Sequence, residues 1–164
     1  MVLFNILAAF GAGALAASIG AVNAFIMTGI LAIIAGVGTC LGVDSGFTAA
    51  FAFGTVMGPH MSFAAGAAAT AYAKKKGYID NGCALGQGLA FLGKADVLVV
   101  GGVFGIIAYL IADFVVAKIF GGLIPFGTDN PGMTVVISGI IARLCFTDNG
   151  ILGKGDLTLT PGLP

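Results

Sequence analysis

The absence of charge from the first part of the chain constrains its fold more than any other feature. The first 43 of the 164 residues carry no charged side chain. A helix needs about 20 apolar residues to cross the hydrocarbon core of a bilayer, so this stretch is long enough for two crossings, with a break predicted near residues 18–23. Only 9% of the whole chain is charged, against about 25% in a soluble domain. The sequence therefore predicts an all-α integral membrane protein.

Charge and cysteine content exclude several classes of function. The seven basic residues are balanced by seven acidic ones and never form a run longer than three, so the chain has no patch to neutralise a nucleic acid backbone. Cys40, Cys83 and Cys145 lie far apart and His60 is the only histidine, which leaves too few ligands for zinc or an iron–sulfur cluster. We interpret the cysteines as small buried hydrophobic residues. The sequence predicts no metal, no cofactor and no enzyme activity.

Five crossings are predicted within a single membrane domain that covers residues 1–164. Proline lacks an N–H and fixes φ, so it suits the first turn of a helix, and we expect Pro59 and Pro131 to open helices of their own. The segment 77–94 is too polar and too rich in glycine to cross, and it is predicted to be a loop that contains at most a short interfacial helix. The predicted crossings are 2–18, a second one that ends near residue 43, 59–73, 96–120 and 131–147.

The positions of the basic residues predict the orientation of these crossings. Lys74, Lys75 and Lys76 close the third crossing, and Arg143 lies near the end of the fifth. Basic residues near membrane helices are enriched on the cytoplasmic side. We therefore expect the 74–95 loop and the C-terminal tail inside and the N-terminus outside, in a multi-pass protein of the inner (plasma) membrane.

Two segments of the sequence resemble each other. The pattern FGT, a short gap and P-x-M-[S/T] occurs at 53–62 and again at 126–134, and Asp-Asn-Gly follows each time, at 80–82 and 148–150. This order predicts an internal repeat, 20–86 and 96–153, after an extra N-terminal span 2–18. The basic residues after both proline-opened helices favour parallel repeats. Inverted repeats stay open if one proline-opened segment is a re-entrant half helix, as in many transporters with interrupted helices.

The loops before the two proline-opened helices carry the most informative polar residues. Thr128, Asp129 and Asn130 precede a helix start, whose free N–H groups and partial positive charge can bind an anion or orient a polar solute. Asp and Asn are also preferred helix caps, which is the alternative for this loop. In the first repeat His60 follows Pro59. Histidine changes charge near neutral pH, so His60 is a candidate to carry a proton or bind a solute, or else it is a polar residue at the rim of the membrane.

Four further polar residues are candidates on weaker grounds. Ser62 and Thr134 occupy matched positions of the two repeats, where they either line a solute path or bond back to their own helix carbonyls. Asp44 and Asp113 lie near the ends of predicted crossings, where a carboxylate is costly unless it faces protein, water or a cation. They are either solvated at the interface or take part in ion or proton coupling.

Small residues recur on the predicted helices, for example at Gly13 to Ala17 and Gly66 to Thr70. Such faces let membrane helices approach closely, and packing alone explains them. The Asn130-Pro131 start of an interrupted helix resembles the half-helix design of solute channels such as aquaporins, over these few residues only.

The sequence thus predicts a membrane transporter or channel subunit for a small polar or anionic solute, with its site between two internal repeats. Five short helices provide little wall for a pore, so we expect a homo-oligomer or a second membrane subunit. The alternative is a non-catalytic, membrane-embedded subunit of a larger complex, in which the glycine-rich helices serve as packing surfaces. The expected partners are the lipid bilayer and the solute, and no nucleic acid.

Overall fold

A computed structural model of the chain describes residues 2–43, 46–121, 129–148 and 150–151, and these residues form helices and loops without strands. Five helices account for most of them, with single helical turns at Thr48–Ala52 and Ala90–Leu92. The all-α prediction is confirmed. The helices are α1 (Val2–Ile19), α2 (Ala21–Cys40), α3 (Ser62–Lys75), α4 (Ala95–Leu110), which continues as a π-helix over Ile111–Phe120, and α5 (Asn130–Phe146).

Three of the described helices are long and apolar enough to cross a membrane, namely α1, α2 and the combined segment Ala95–Phe120. α3 has 14 residues and α5 has 17, so they are about 21 and 26 Å long at 1.5 Å per residue. Pro131 lies in the first turn of α5, as predicted. α3 begins three residues after Pro59, because the residues after this proline form a turn before the regular helix starts.

Gly20 separates α1 from α2, inside the predicted break at 18–23. Its φ of 101° lies in the left-handed region that favours glycine. The polar loop after α3 is hydrogen-bonded to this junction, since Leu89 N–H donates to the Ala17 carbonyl at 2.9 Å and Val22 N–H donates to the Leu85 carbonyl at 3.0 Å. The α1–α2 junction and the 77–94 loop therefore lie at the same end of the bundle.

This end also contains most of the basic residues, and we call it the basic end: Lys74, Lys75, Lys76, Lys94 and Arg143. α3 ends there, α4 begins there, and Lys75 Nζ donates to the Cys145 carbonyl near the end of α5 at 2.8 Å. α1, α3 and α5 thus run toward the basic end, whereas α2 and α4 run away from it. The opposite end, where α3 and α5 begin, is called the site end below.

Two tyrosines at the basic end contact an aspartate and a lysine, and together they form the tyrosine–lysine cluster. Tyr72 and Tyr78 donate their hydroxyls to Asp96 Oδ2 at 3.0 and 3.2 Å, and Lys94 Nζ lies 5.4 Å from the centre of the Tyr78 ring. Burial of the phenol, and then its hydrogen bond to the Asp96 carboxylate, raises the pKa of Tyr78, so it stays a donor at neutral pH. Tyrosine and lysine in such a cluster are typical of a membrane–water interface.

The helices approach one another through glycine and alanine, as the small-residue faces predicted. α3 lies in the centre and packs on α1, α2, α4 and α5. A Cβ on Gly101 would lie 2.7 Å from the Gly13 carbonyl oxygen, and one on Gly66 would lie 2.9 Å from the Cα of Ala21. Backbone therefore meets backbone at these crossings, which only glycine permits.

The interpretation of the cysteines as buried residues is wrong, because all three are exposed. Cys40 is the last residue of α2, Cys83 lies in the polar loop, and Cys145 lies on the outer face of α5 near its end. Apolar composition alone did not reveal this, since a helix in a bilayer can direct small apolar side chains outward as well as inward.

Candidate functional site

A polar cavity of about 230 Å³ lies at the site end, between α1, α4 with its π-helical continuation, and the starts of α3 and α5. We call it the polar pocket. Six polar side chains line it, and they come from four separate parts of the fold, namely α1, the turn before α3, α4 with its π-helical continuation, and α5. These side chains are Asn5, Thr55, His60, Tyr109, Asp113 and Asn130.

Among the polar residues that line this pocket, His60 is buried and has a ring nitrogen without a hydrogen-bond partner in the described structure. It is only 6% exposed, and its Nδ1 has no hydrogen-bond partner within the part of the chain that the structure describes. A Cβ on Gly58 would lie 3.0 Å from this nitrogen, so glycine allows the imidazole to fold back over the turn. Because burial disfavours an imidazolium, we expect a neutral ring with one donor and one acceptor nitrogen.

Asn130 connects α5 to the π-helix across the pocket. Its Nδ2 donates to the Ala112 carbonyl at 3.2 Å, and its Oδ1 accepts from Thr134 Oγ1 at 3.1 Å. A π-helix departs from the regular α-helical hydrogen-bond pattern, and short π-helical turns within α-helices are frequent at functional sites. Thr134 is fully buried and fixes the orientation of the Asn130 amide. It positions a pocket residue and is not itself among the residues lining the polar pocket.

Asn5 and Tyr109 join α1 to α4 at the same place. Asn5 Nδ2 donates to the Tyr109 hydroxyl at 3.3 Å, across 104 residues of sequence. Tyr109 is buried beside Met61 in an otherwise apolar cluster. Sequence analysis missed both residues, as well as Thr55. The available signal was a lone amide in an uncharged span, because polar side chains within a membrane segment are costly and tend to be functional.

Asp129 and Ser62 make local hydrogen bonds, as the alternatives for them predicted. Asp129 is the N-cap of α5, and its Oδ1 accepts from the Gly132 N–H at 3.2 Å. The Ser62 hydroxyl is fully buried and donates to the carbonyls of Met57 and Gly58, at 3.3 and 3.1 Å. Ser62 thus stabilises the turn that presents His60.

The structure brings together three of the predicted site residues in the polar pocket and places three beside it. His60, Asp113 and Asn130 line the pocket, whereas Ser62, Asp129 and Thr134 support the helix starts next to it. Asp44 and Thr128 lie outside the described residues. Among the described side chains, no group of three His, Cys, Asp or Glu residues could hold a metal ion.

A second cavity, of about 400 Å³, lies between α2 and α5 over the start of α3. We call it the apolar groove. Its lining is aromatic and aliphatic apart from Asp129 and Gly132, and Phe53 contributes to this lining and to that of the polar pocket. The two cavities are therefore neighbours that share one aromatic side chain. The main apolar residues of the groove are Phe25, Phe53, Pro59, Phe63, Pro131 and Val135.

The capping role of Asp129 gives a first prediction. Asp129→Ala should lower the free energy of unfolding by about 0.5–2 kcal/mol, because it removes the acceptor for a free N–H of the first turn. Asp129→Asn keeps an acceptor and should lose much less. Thermal unfolding in detergent, followed by circular dichroism, measures both changes. Equal losses in the two variants would show that the charge matters and the cap does not.

Fold and site together define a class: an all-helical protein with helices apolar enough to cross a membrane and a polar pocket where two shorter helices begin. The chain belongs to a family of unknown function, DUF7973, whose profile matches residues 1–159. No curated protein and no solved structure matches the chain.

Proposed function

We propose that this chain is a multi-pass inner-membrane transporter or channel subunit, and that a small polar solute passes through the polar pocket. One observation carries the proposal, namely the buried His60 side chain, whose Nδ1 has no partner in the described part of the chain. Leaving such a group unpaired costs about 1–3 kcal/mol. A solute that binds there supplies the missing partner.

The depth of the pocket supports this proposal. Tyr109 lies 14 residues after Ala95, the first residue of α4, which corresponds to about 21 Å along the helix axis. With Ala95 and the tyrosine–lysine cluster at one membrane surface, the pocket lies inside a hydrocarbon core of about 30 Å. At this depth no bulk water satisfies polar groups, so side chains such as His60 and Asn130 need protein or solute partners.

The charges at the site favour a neutral or cationic solute over an anionic one. Asp113 lines the polar pocket and Asp129 lines the neighbouring groove, whereas no lysine or arginine is among the residues that line either cavity in the described part of the chain. Carboxylates attract cations and repel anions. Of the polar or anionic solutes that the sequence predicted, we therefore propose a neutral or cationic one.

The directions of the helices support five crossings and parallel repeats. α3 and α5 both begin at the site end and run to the basic end, and each follows a helix that runs the opposite way. We propose that α3 and α5 are the equivalent proline-opened helices of repeats 20–86 and 96–153. Their starts meet around the polar pocket, as interrupted helices do at transporter substrate sites.

The buried polar face of α5 is the proposed route from the pocket toward the basic end. Thr134 and Ser138 follow Asn130 at intervals of four residues, so they lie on one face of α5. Both are fully buried, and Ser138 Oγ is the second buried side-chain atom without a partner in the described structure. A hydroxyl there gives a passing solute a further hydrogen-bond partner.

The proposed orientation predicts different reactivity for two exposed cysteines. Cys83 lies at the basic end and Cys40 at the site end, so in intact spheroplasts a membrane-impermeant maleimide should label Cys40 and spare Cys83. Variants with one cysteine each make the comparison direct. Permeabilising the cells should make Cys83 reactive, which shows that its thiol is accessible. Labelling of Cys83 alone before permeabilisation would invert the topology.

Reconstitution of the purified chain tests the function itself. Proteoliposomes are assayed by stopped-flow light scattering with neutral polyols and amides, and by uptake of small ammonium ions. Movement of one of these solutes well above that in protein-free liposomes is the expected result, and folded protein that moves none would contradict the proposal.

A second candidate, a membrane-embedded subunit of a larger complex, is favoured by the outer face of α2. Only 22% of this apolar helix segment is buried within the chain, and its exposed residues include Ile26, Ile30 and Ile33. A partner subunit would cover such a face, although lipid would too. If the chain unfolds when it is purified without a partner, this candidate is supported. If the purified chain stays folded and moves solute, it is not.

A further inference from the structure

We propose that the solute is an amphiphile with a cationic head, and that its ammonium group binds in the polar pocket while its alkyl chain lies in the apolar groove. This inference rests on the proposed function, since it names the class of substrate for the same pocket. It goes further in assigning the second cavity to the ligand and in giving the ligand a path from the bilayer.

The two cavities are arranged to hold the two parts of such a molecule. Phe53 lines both of them, so a ligand that passes its ring contacts polar groups on one side and aromatic groups on the other. The volumes are about 230 and 400 Å³, so the larger one is available to the apolar part. A solute that is polar throughout would occupy the polar pocket and leave the apolar groove empty.

The groove borders a surface that lipid can reach. Phe25 of α2 is 53% exposed and its ring contacts that of Phe63, with the ring centres 5.8 Å apart. Val135 of α5 lies on the other side of the groove. Because α2 and α5 both pack on α3 and the cavity lies between them, an alkyl chain can enter sideways from the bilayer.

The carboxylates that line the two cavities favour a cationic head. Asp129 lines the groove, and Asp113 lines the polar pocket. Lys118 is on the same π-helix as Asp113, but its Nζ lies 4.3 Å from the centre of the Phe114 ring and Lys118 lines neither cavity. A neutral imidazole and carboxylates are all acceptors for the N–H groups of an ammonium ion.

Binding of n-alkylammonium ions of increasing length tests this inference. The protein in phosphatidylcholine nanodiscs is titrated calorimetrically with methylammonium and octylammonium, and the ratio of their dissociation constants is compared between variants. Each methylene buried in the groove can strengthen binding up to about fourfold, so we expect octylammonium to bind about tenfold more tightly or better. Val135→Phe fills the groove and should bring the ratio close to that set by lipid alone. Val136→Phe is the matched control, because Val136 is 59% exposed and is not among the residues that line the groove.

Cross-linking of the wild-type protein provides a test that does not depend on the folding of Val135→Phe. A diazirine placed along the chain of an alkylammonium probe should give adducts at Phe25, Phe63 or Val135, and excess octylammonium should suppress them. Adducts spread over the outer face of α2 without competition would overturn the inference. So would equal ratios in wild-type, Val135→Phe and Val136→Phe protein.

These outcomes separate the inference from the proposed function. If methylammonium or a neutral solute binds in a His60-dependent way and octylammonium binds no better, the polar pocket is the site and the amphiphile inference is wrong. If no small solute binds or moves, the proposed function fails as well.

Discussion

Gly105→Leu should prevent close packing of α1 on α4 and lower the free energy of unfolding by about 3 kcal/mol or more. A Cβ on Gly105 would collide with the carbonyl oxygen of Ala9 and lie 3.2 Å from the Cα of Gly13. Both are backbone atoms, so no side chain can rotate away to make room. The two helices would have to separate along their whole contact, which also contains the pair Asn5 and Tyr109.

Gly11→Leu is the matched control for this prediction. Gly11 is also a helical glycine at the α1 side of the bundle, but a Cβ there meets nothing within 4 Å in the described structure. We expect its stability to stay within about 1 kcal/mol of wild type. Unfolding in mixed micelles with increasing denaturing detergent, followed by circular dichroism, measures both variants. Similar stability of Gly105→Leu and Gly11→Leu would mean that α1 and α4 do not pack as described.

The apolar segments could be predicted from the sequence because composition and length determine where helices form in a bilayer. The interpretation placed a break at 18–23 and crossings at 96–120 and 131–147, and the structure has Gly20, Ala95–Phe120 and Asn130–Phe146. It could not predict that residues 111–120 adopt a π-helix, since nothing in their composition distinguishes a π-helix from an α-helix. The number of crossings and the repeat remain predictions.

The candidate site was predictable only where a local pattern marked it. His60 comes directly after Pro59 and Asn130 directly before Pro131, so both belong to the motif of a proline-opened helix and could be selected from the sequence. Asn5 and Tyr109 are separated by 104 residues of sequence, and only the contact between α1 and α4 brings them together. The apolar groove could not be recognised from the sequence for the same reason, because α2, α3 and α5 form it jointly.

Replacing His60 with alanine should reduce solute movement in proteoliposomes by about tenfold to a hundredfold, and Asn130→Ala should have a similar effect. The range corresponds to the loss of a hydrogen bond in a dry site, about 1.4–2.7 kcal/mol. His60→Ala removes the nitrogen that has no partner. Asn130→Ala removes the amide and leaves the Ala112 carbonyl without its hydrogen-bond donor. Initial rates at equal amounts of inserted protein measure the effect.

Thr134→Val distinguishes a binding role of the Asn130 amide from a purely structural one. Valine has the shape of threonine but cannot donate to Asn130 Oδ1, so the amide stays in place with less restraint. We expect a weaker loss of transport than in Asn130→Ala, with the unfolding transition close to that of wild type. His60→Gln keeps a donor and an acceptor near the pocket, and should recover part of the activity that His60→Ala loses.

The combination of results decides between the two candidate functions. If His60→Ala and Asn130→Ala insert and unfold like the wild-type protein but move solute more slowly, the polar pocket is the site of passage. If both move solute at the wild-type rate, the buried histidine is a structural residue and the pocket is not on the path. If both variants fail only in assembly with another membrane protein, the polar residues serve a subunit interface, and the missing partner of His60 Nδ1 then comes from that protein.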